Sequence, residues 1–221
     1  MDRSHVAIII PALNEEASVG RVCSAVAVHG SPIVVDDGSS DRTAQVSQAA
    51  GAVVVTHLRP QGYDAALDSG FRRARELGFS YAVTFDADGQ HDASSVPDVL
   101  RLLDAGHDCV VGVRPKPARL AERLFALYTR RAFGIKDPLC GLKGYRLSAY
   151  VELGHFDSYK SVGTELMLYC LKAGHRVAQL PIGAAPRQGI PRVGGSIRAN
   201  WRIARSLCGA LIRSRHQVGT R

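Results

Sequence analysis

Residues 81–91 read YAVTFDADGQH. Tyr81 to Phe85 is an apolar run the length of a strand, and it ends in two aspartates, Asp86 and Asp88, one residue apart. Like charges at the end of a buried strand repel and resist desolvation, so something positive must compensate them. The same junction of apolar strand and acidic turn occurs twice upstream. Val6 to Ile10 is a continuous β-branched run, expected to stop at Pro11 and followed by Asn14-Glu15-Glu16, which opens a helical stretch to about Val28. Ile33 to Val35 is followed by Asp36-Asp37-Gly38-Ser39, with Ser40 or Asp41 capping a helix to about Ala50.

The rest of the first half keeps the alternation. Strands are expected at Ala52 to Thr56 and Cys109 to Val113. Helices are expected at Tyr63 to Leu77, with Ala66, Phe71, Ala74 and Leu77 near one face, and at Ser95 to Ala105. Strands separated by helices of this length imply right-handed βαβ units and a mostly parallel sheet, an α/β fold. Ligands of such sheets bind at the carboxyl ends of the strands, and all three acidic turns fall on that edge. The second half is less regular. It reads as a basic helix from Arg119 to Phe133, a loop and turn from Pro138 to Tyr145, a helix from Glu165 to Ala173, a strand from Val177 to Ile182, a Gly-, Pro- and Arg-rich loop over 183–195 and a last helix from Asn200 to Arg213.

With 221 residues and 46% hydrophobic content, the chain is large enough for one α/β domain. It has no apolar run of membrane-spanning length, and the N-terminus runs into a strand without a signal-peptide pattern, so a cytoplasmic protein is expected. Its five cysteines are scattered without metal-site spacing and read as reduced core residues. The net charge of +8 is uneven. No acid follows Glu165, and residues 183–221 carry eight arginines and no lysine, which calls for an anionic partner. Nucleic acid is disfavoured, because aromatics are only 6% and no recognition motif is present. A dinucleotide oxidoreductase is disfavoured too: the first strand leads into PALNEE and not G-x-G-x-x-G. The final helix puts Trp201, Ala204, Cys208, Leu211 and Ile212 on one side and Arg198, Arg202, Arg205 and Arg213 on another. That pattern suits either peripheral contact with the cytoplasmic face of a membrane or docking on the domain.

Asp86 and Asp88 at i and i+2 can offer oxygens to one hard cation such as Mg²⁺ or Mn²⁺, with Gln90 as a neutral third donor. Two carboxylates that bond backbone amides in a DxDG turn are the structural alternative. Asp36 can likewise accept from a nucleobase N–H or serve the turn.

IIIPALNEE, VVDDGSSDRT, QGYDAALDSGF, FDADGQH and VVGVR stand in the order and approximate spacing of the family 2 glycosyltransferases, which have the GT-A fold. The chain resembles, within them, the dolichyl- or polyprenyl-phosphate mannose or glucose synthases. The resemblance covers about residues 5–190. It implies a Rossmann-like, mostly parallel sheet flanked by helices, with a GT-A domain over 1–195 (a sugar-nucleotide half, 1–115, and an acceptor half, 116–195) and a basic amphipathic helix and tail over 196–221. By the same resemblance Pro11, Ala12, Asn14, Glu15 and Gly62 would line the nucleotide pocket and Asp36 would meet the base. Asp86, Asp88 and Gln90 would hold Mg²⁺ or Mn²⁺ on the donor diphosphate, with Asp88 and Arg114 catalytic. Arg187 and Ser196 fall at a phosphate-binding R-x-x-G-x-S motif. There the chain departs from the family: the spacing is stretched, Ile197 replaces the usual lysine and Arg192 competes with Arg187. Cys140 also stands where serine is usual.

The expected reaction moves a hexose, with inversion, from GDP- or UDP-sugar to a polyprenyl phosphate. Arg119, Arg123, Arg130 and Arg131 suit the acceptor phosphate because guanidinium binds phosphate in a bidentate fork. The alternative acceptor is a hydroxyl on a glycan, peptide or small metabolite. It would need a general base, for which Glu165 is the candidate.

Overall fold

The computed structural model describes residues 2–89, 92–115 and 120–183. They form a seven-stranded sheet in the order β3-β2-β1-β4-β6-β5-β7. The strands are β1 (Val6–Ala12), β2 (Ser31–Asp36), β3 (Val53–Thr56), β4 (Tyr81–Thr84), β5 (Cys109–Val113), β6 (Lys143–Arg146) and β7 (Val177–Pro181). The helices are α1 (Val19–Ala27), α2 (Thr43–Ala49), α3 (Tyr63–Glu76), α4 (Val96–Asp104), α5 (Leu120–Phe133), α6 (Leu147–Leu153) and α7 (Glu165–Lys172). All pairings are parallel except those of β6, which runs antiparallel to both β4 and β5.

The central strands are apolar on both faces because both are covered. Ile8, Ile10, Val34, Val83 and Val110 pack with α1 and α4 through Val19, Val22, Val26, Val96, Val99 and Leu103. On the other face Ile9, Ile33, Ala82, Cys109, Val111 and Tyr145 meet Leu67 and Phe71 of α3, Tyr150 of α6 and Leu166 and Met167 of α7. Phe71 anchors this side, its ring 4.8 Å from Phe156 and 5.6 Å from Tyr145. The four described cysteines are free and buried. Among the described residues no helix is long and apolar enough to cross a membrane.

Several expectations need correction. β1 does not stop at Pro11 but continues to Ala12, with Pro11 in register with Val35. The Ile9 carbonyl faces β4, where it accepts from the Phe85 N–H. Pro11, two residues on, turns its missing donor to the same side, beyond the end of the β1–β4 ladder, so no sheet bond is lost. The first helix begins at Val19, not at Asn14, because Asn14 has a left-handed φ of 50°. Leu77 lies outside the core, 43% exposed just past α3. The stretch expected to be a loop and turn contains β6, and α6 follows it directly. β6 also joins the two halves, since a strand from beyond residue 115 is inserted between β4 and β5. The proposed tail, 196–221, lies outside the described residues.

Candidate active site

The carboxyl ends of β1, β2 and β4 bring the acidic turns together, as the alternation implied. The loops after β1 and β2 are laced to each other. The Asn14 N–H donates to Ser39 Oγ at 2.8 Å, and Asn14 Oδ1 accepts from the Ser40 N–H at 2.8 Å. The Glu15 N–H donates to Thr43 Oγ1 at 2.7 Å, while the Glu15 carboxylate accepts from Ser18 Oγ at 2.7 Å. Both residues therefore shape the rim of the edge. Pro11 and Ala12 end β1 beside them.

The two aspartates after β2 do different work. Asp36 is nearly buried, and one of its oxygens accepts from the Ser39 N–H at 3.1 Å. Asp37 is the organiser of the edge, though sequence reasoning gave it no role. Its carboxylate accepts from the Gln61 N–H at 2.8 Å and the Gly62 N–H at 2.7 Å, and it lies 2.7 Å from His57 Nδ1. His57 in turn reaches Ser69 Oγ at 2.9 Å. This buried cluster fixes the loop from β3 into α3, and Gly62, with φ 101°, makes the turn that a side chain would strain. No periodicity announces Asp37. The acid pair itself was the available signal.

Asp86 and Asp88 follow β4, both half-buried. Tyr63, the first residue of α3, donates its phenol to Asp86 Oδ1 at 3.2 Å. Burial, then the adjacent Asp86, pushes the Tyr63 pKa well above its ordinary 10, so it stays a neutral donor. On the other side the carboxylate rests against Gly141, where any Cβ would overlap it. Gly141 is held there by its carbonyl, which accepts from Thr84 Oγ1 at 2.6 Å. Lys143, only 3% exposed, is the buried cation of this region. Its ammonium donates to the Cys140 carbonyl at 2.6 Å. Burial lowers its pKa from 10.5, while Cys140, Asp137, Cys109 and Asp86 pull it back up. Tyr63 lies inside the QGYDAALDSGF motif and Lys143 three residues after Cys140, yet only the fold brings both to the region of Asp86.

An oxygen-only pair of carboxylates, of which Asp86 is oriented by a phenol and seated on a glycine, fits a hard divalent cation. Gln90 lies outside the described residues. Among those described, no group of three or more His, Cys, Asp or Glu side chains could hold a metal ion.

Arg114 and Glu165 are both engaged in structural contacts. Arg114 grips Asp137 in a bidentate fork, Nε to Oδ2 at 2.7 Å and Nη2 to Oδ1 at 2.8 Å, and Nη2 reaches Glu122 at 3.3 Å. Burial opposes its charge, but Asp137 and then Glu122 hold the guanidinium firmly protonated. Glu165, 8% exposed at the start of α7, accepts from Ser158 Oγ at 2.8 Å and the Ser158 N–H at 2.5 Å, and lies 3.3 Å from His155 Nε2. These contacts tie down the loop 155–164, in which Lys160 and Val162 adopt left-handed φ values of 59° and 57°. Such backbone persists only where its surroundings fix it. That loop abuts the acidic edge: Asp64, next to Tyr63, accepts from the Gly163 N–H at 2.6 Å. Arg123, Arg130 and Arg131 are exposed on α5. Arg119, Arg187, Arg192, Ser196 and the C-terminal helix lie outside the described residues.

A family model, Glycosyl transferase family 2, matches residues 7–136. The chain belongs to glycosyltransferase family 2. An uncharacterized glycosyltransferase of Mycobacterium tuberculosis is 33% identical over 206 residues, covering 88% of this chain and 92% of the relative. A UDP-N-acetylglucosamine–dolichyl-phosphate N-acetylglucosaminyltransferase of Methanococcus voltae is 26% identical over 209 residues, covering 79% of this chain and 83% of the relative. Among solved structures, glucosyl-3-phosphoglycerate synthase of M. tuberculosis, crystallised with Mn²⁺ and UDP-glucose, superposes with a TM-score of 0.71 at 24% identity, covering 94% of this chain and 79% of that one. The sheet and its flanking helices are thus the GT-A fold of this glycosyltransferase family.

Proposed function

We propose that this family 2 glycosyltransferase moves a hexose, with inversion, from a GDP- or UDP-sugar to a polyprenyl phosphate, with Mg²⁺ or Mn²⁺ at Asp86 and Asp88. The observation that carries the acceptor assignment is the clamp on Glu165. Both of its oxygens already accept hydrogen bonds, so the candidate base named from the sequence is a latch for the loop before α7. A hydroxyl acceptor needs a base to remove its proton, whereas a phosphate acceptor arrives as an anion and needs only to be positioned. The M. voltae relative is named for a dolichyl-phosphate acceptor, which points the same way.

In this reading Asn14, Glu15, Pro11, Ala12 and Gly62 form the walls of the nucleotide pocket, and Asp36 meets the base at its floor. A bound divalent cation neutralises charge that develops on the departing nucleoside diphosphate. Tyr63 and Gly141 fix the Asp86 carboxylate, so that its orientation is set before substrate arrives. The buried Lys143 ammonium rests on the Cys140 carbonyl, and Asp86 is among the groups that favour its charge against the pull of burial. Arg114 shapes the turn after β5 through Asp137 and Glu122. Arg119, Arg123, Arg130, Arg131, Arg192 and Ser196 serve the acceptor phosphate, and Arg187 serves the sugar nucleotide. A direct displacement at the anomeric carbon requires no protein nucleophile.

Glu165→Gln tests the assignment. The amide keeps an acceptor for Ser158 but removes any basicity. The expected result is a rate on a short polyprenyl phosphate within about threefold of wild type. A loss of about a hundredfold or more would indicate general-base catalysis and a hydroxyl acceptor.

A further inference from the structure

The solvent face of α5 carries two exposed leucines that neither the fold nor the acidic edge accounts for. Phe125 and Thr129 are fully buried and hold the helix down, and Thr129 Oγ1 donates to the Ile135 carbonyl at 3.0 Å. Opposite them Leu124 and Leu127, one turn apart, are each 55% exposed. Arg123, Arg130 and Arg131 are exposed beside them, and Lys136 is exposed just past the helix end. Single exposed leucines are ordinary, but two on adjacent turns inside a ring of cations form a patch.

The charge of that patch is as one-sided as its shape. Residues 120–137 contain two acids, Glu122 and Asp137. Both are buried and both pair with Arg114, so neither reaches the outer face. The Arg114 ion pairs thereby leave the exterior of α5 with cations alone.

We infer that the outer face of α5 docks on an anionic lipid bilayer, with Leu124 and Leu127 entering the headgroup–acyl boundary and Arg123, Arg130 and Arg131 meeting the phosphates at its surface, that of a polyprenyl phosphate acceptor among them. The inference rests on the polyprenyl-phosphate reading in one respect: an acceptor of that kind is dissolved in a bilayer, and the enzyme must come to it. Charge complementarity selects the occupant. A cationic rim around an apolar centre is the surface that interfacial helices present to anionic lipid. The C-terminal residues carry arginines of their own, so the test must separate α5 from them.

Flotation of the full chain with vesicles of phosphatidylcholine containing about one-third phosphatidylglycerol makes that separation, with pure phosphatidylcholine as the comparison. The expected result is binding to the anionic vesicles that weakens as salt is raised. The variant Leu124→Gln/Leu127→Gln, with every cation intact, should partition roughly tenfold more weakly. Its rate on a short, water-soluble polyprenyl phosphate should match wild type, because neither leucine belongs to the acidic edge. Equal flotation of variant and wild type would overturn the inference and assign the binding to another part of the chain. Absence of flotation at low salt would overturn it too. Leucine-dependent flotation with no transfer to the soluble acceptor would uphold the docking face and refute the acceptor reading.

Discussion

Gly141 gives the sharpest test of the acidic edge. Its backbone is not left-handed, so alanine there meets no conformational penalty, and the effect of Gly141→Ala is purely one of space. The added Cβ would lie 2.6 Å from Asp86 Cγ and 2.9 Å from Oδ1. Carbon atoms at rest sit about 3.5–4.0 Å apart, so the carboxylate must retreat by about 1 Å. Metal ligation tolerates only about 0.2 Å of error in ligand distance. The alanine should therefore weaken Mn²⁺ binding at least about tenfold, with a parallel loss in kcat/KM, the scale seen when a ligand's support is removed. Overpacking should cost about 2 kcal/mol, which is a Tm decrease of about 4–8 °C in a chain of this size. Isothermal titration of Mn²⁺ into the apo protein reads the first effect and thermal unfolding the second. Unchanged Mn²⁺ affinity in a folded Gly141→Ala protein would refute the placement of Asp86 as a ligand.

The remaining predictions concern the fold around that edge. Asp37→Ala leaves His57 and the Gln61 and Gly62 N–H groups without their shared acceptor. It should cost about 3 kcal/mol, measured by urea unfolding, and a loss under about 0.5 kcal/mol would show that the cluster is not cohesive. Tyr63, Tyr145 and Cys109 are all held neutral by burial, with pKa values raised well above their ordinary 10, 10 and 9. The unfolded chain ionises these groups first, so their contribution is complete below about pH 9 and is lost as pH rises beyond it. The Tm should fall between about pH 9 and 11. Lys143, whose pKa is shifted the other way, opposes this by one group, and a Tm that rises over that range would contradict the assignment.

The sequence showed the donor half well because its signals are local. The β-branched run of β1 and the apolar runs of β2 and β4 can only be strands covered on both faces, and their parallel order puts the acids on one edge without any distance information. β6 was missed because Lys143-Gly144-Tyr145-Arg146 looks like a turn when read alone. It is a strand because β4 and β5 stand on either side of it and because the Lys143 ammonium finds the Cys140 carbonyl. The start of α1 was placed too early for a related reason. Acids in a first turn favour a helix, but Asn14 satisfies its polar groups across a gap of 26 residues, on Ser40, and that partner is invisible to local propensity. Arg114, Asp137 and Glu122 were legible as residue types, and only their mutual distances show that they pair with one another.

Transfer of label from sugar nucleotide to lipid is the most direct test of the central claim. Purified protein would be incubated with Mg²⁺ or Mn²⁺, a panel of labelled GDP- and UDP-sugars and a short polyprenyl phosphate, and the organic phase counted. Label is expected there that requires the divalent cation and disappears in Asp88→Ala. Nucleoside diphosphate released with no label in the organic phase would contradict the acceptor assignment. Metal-independent transfer that survives in Asp88→Ala would contradict the site itself.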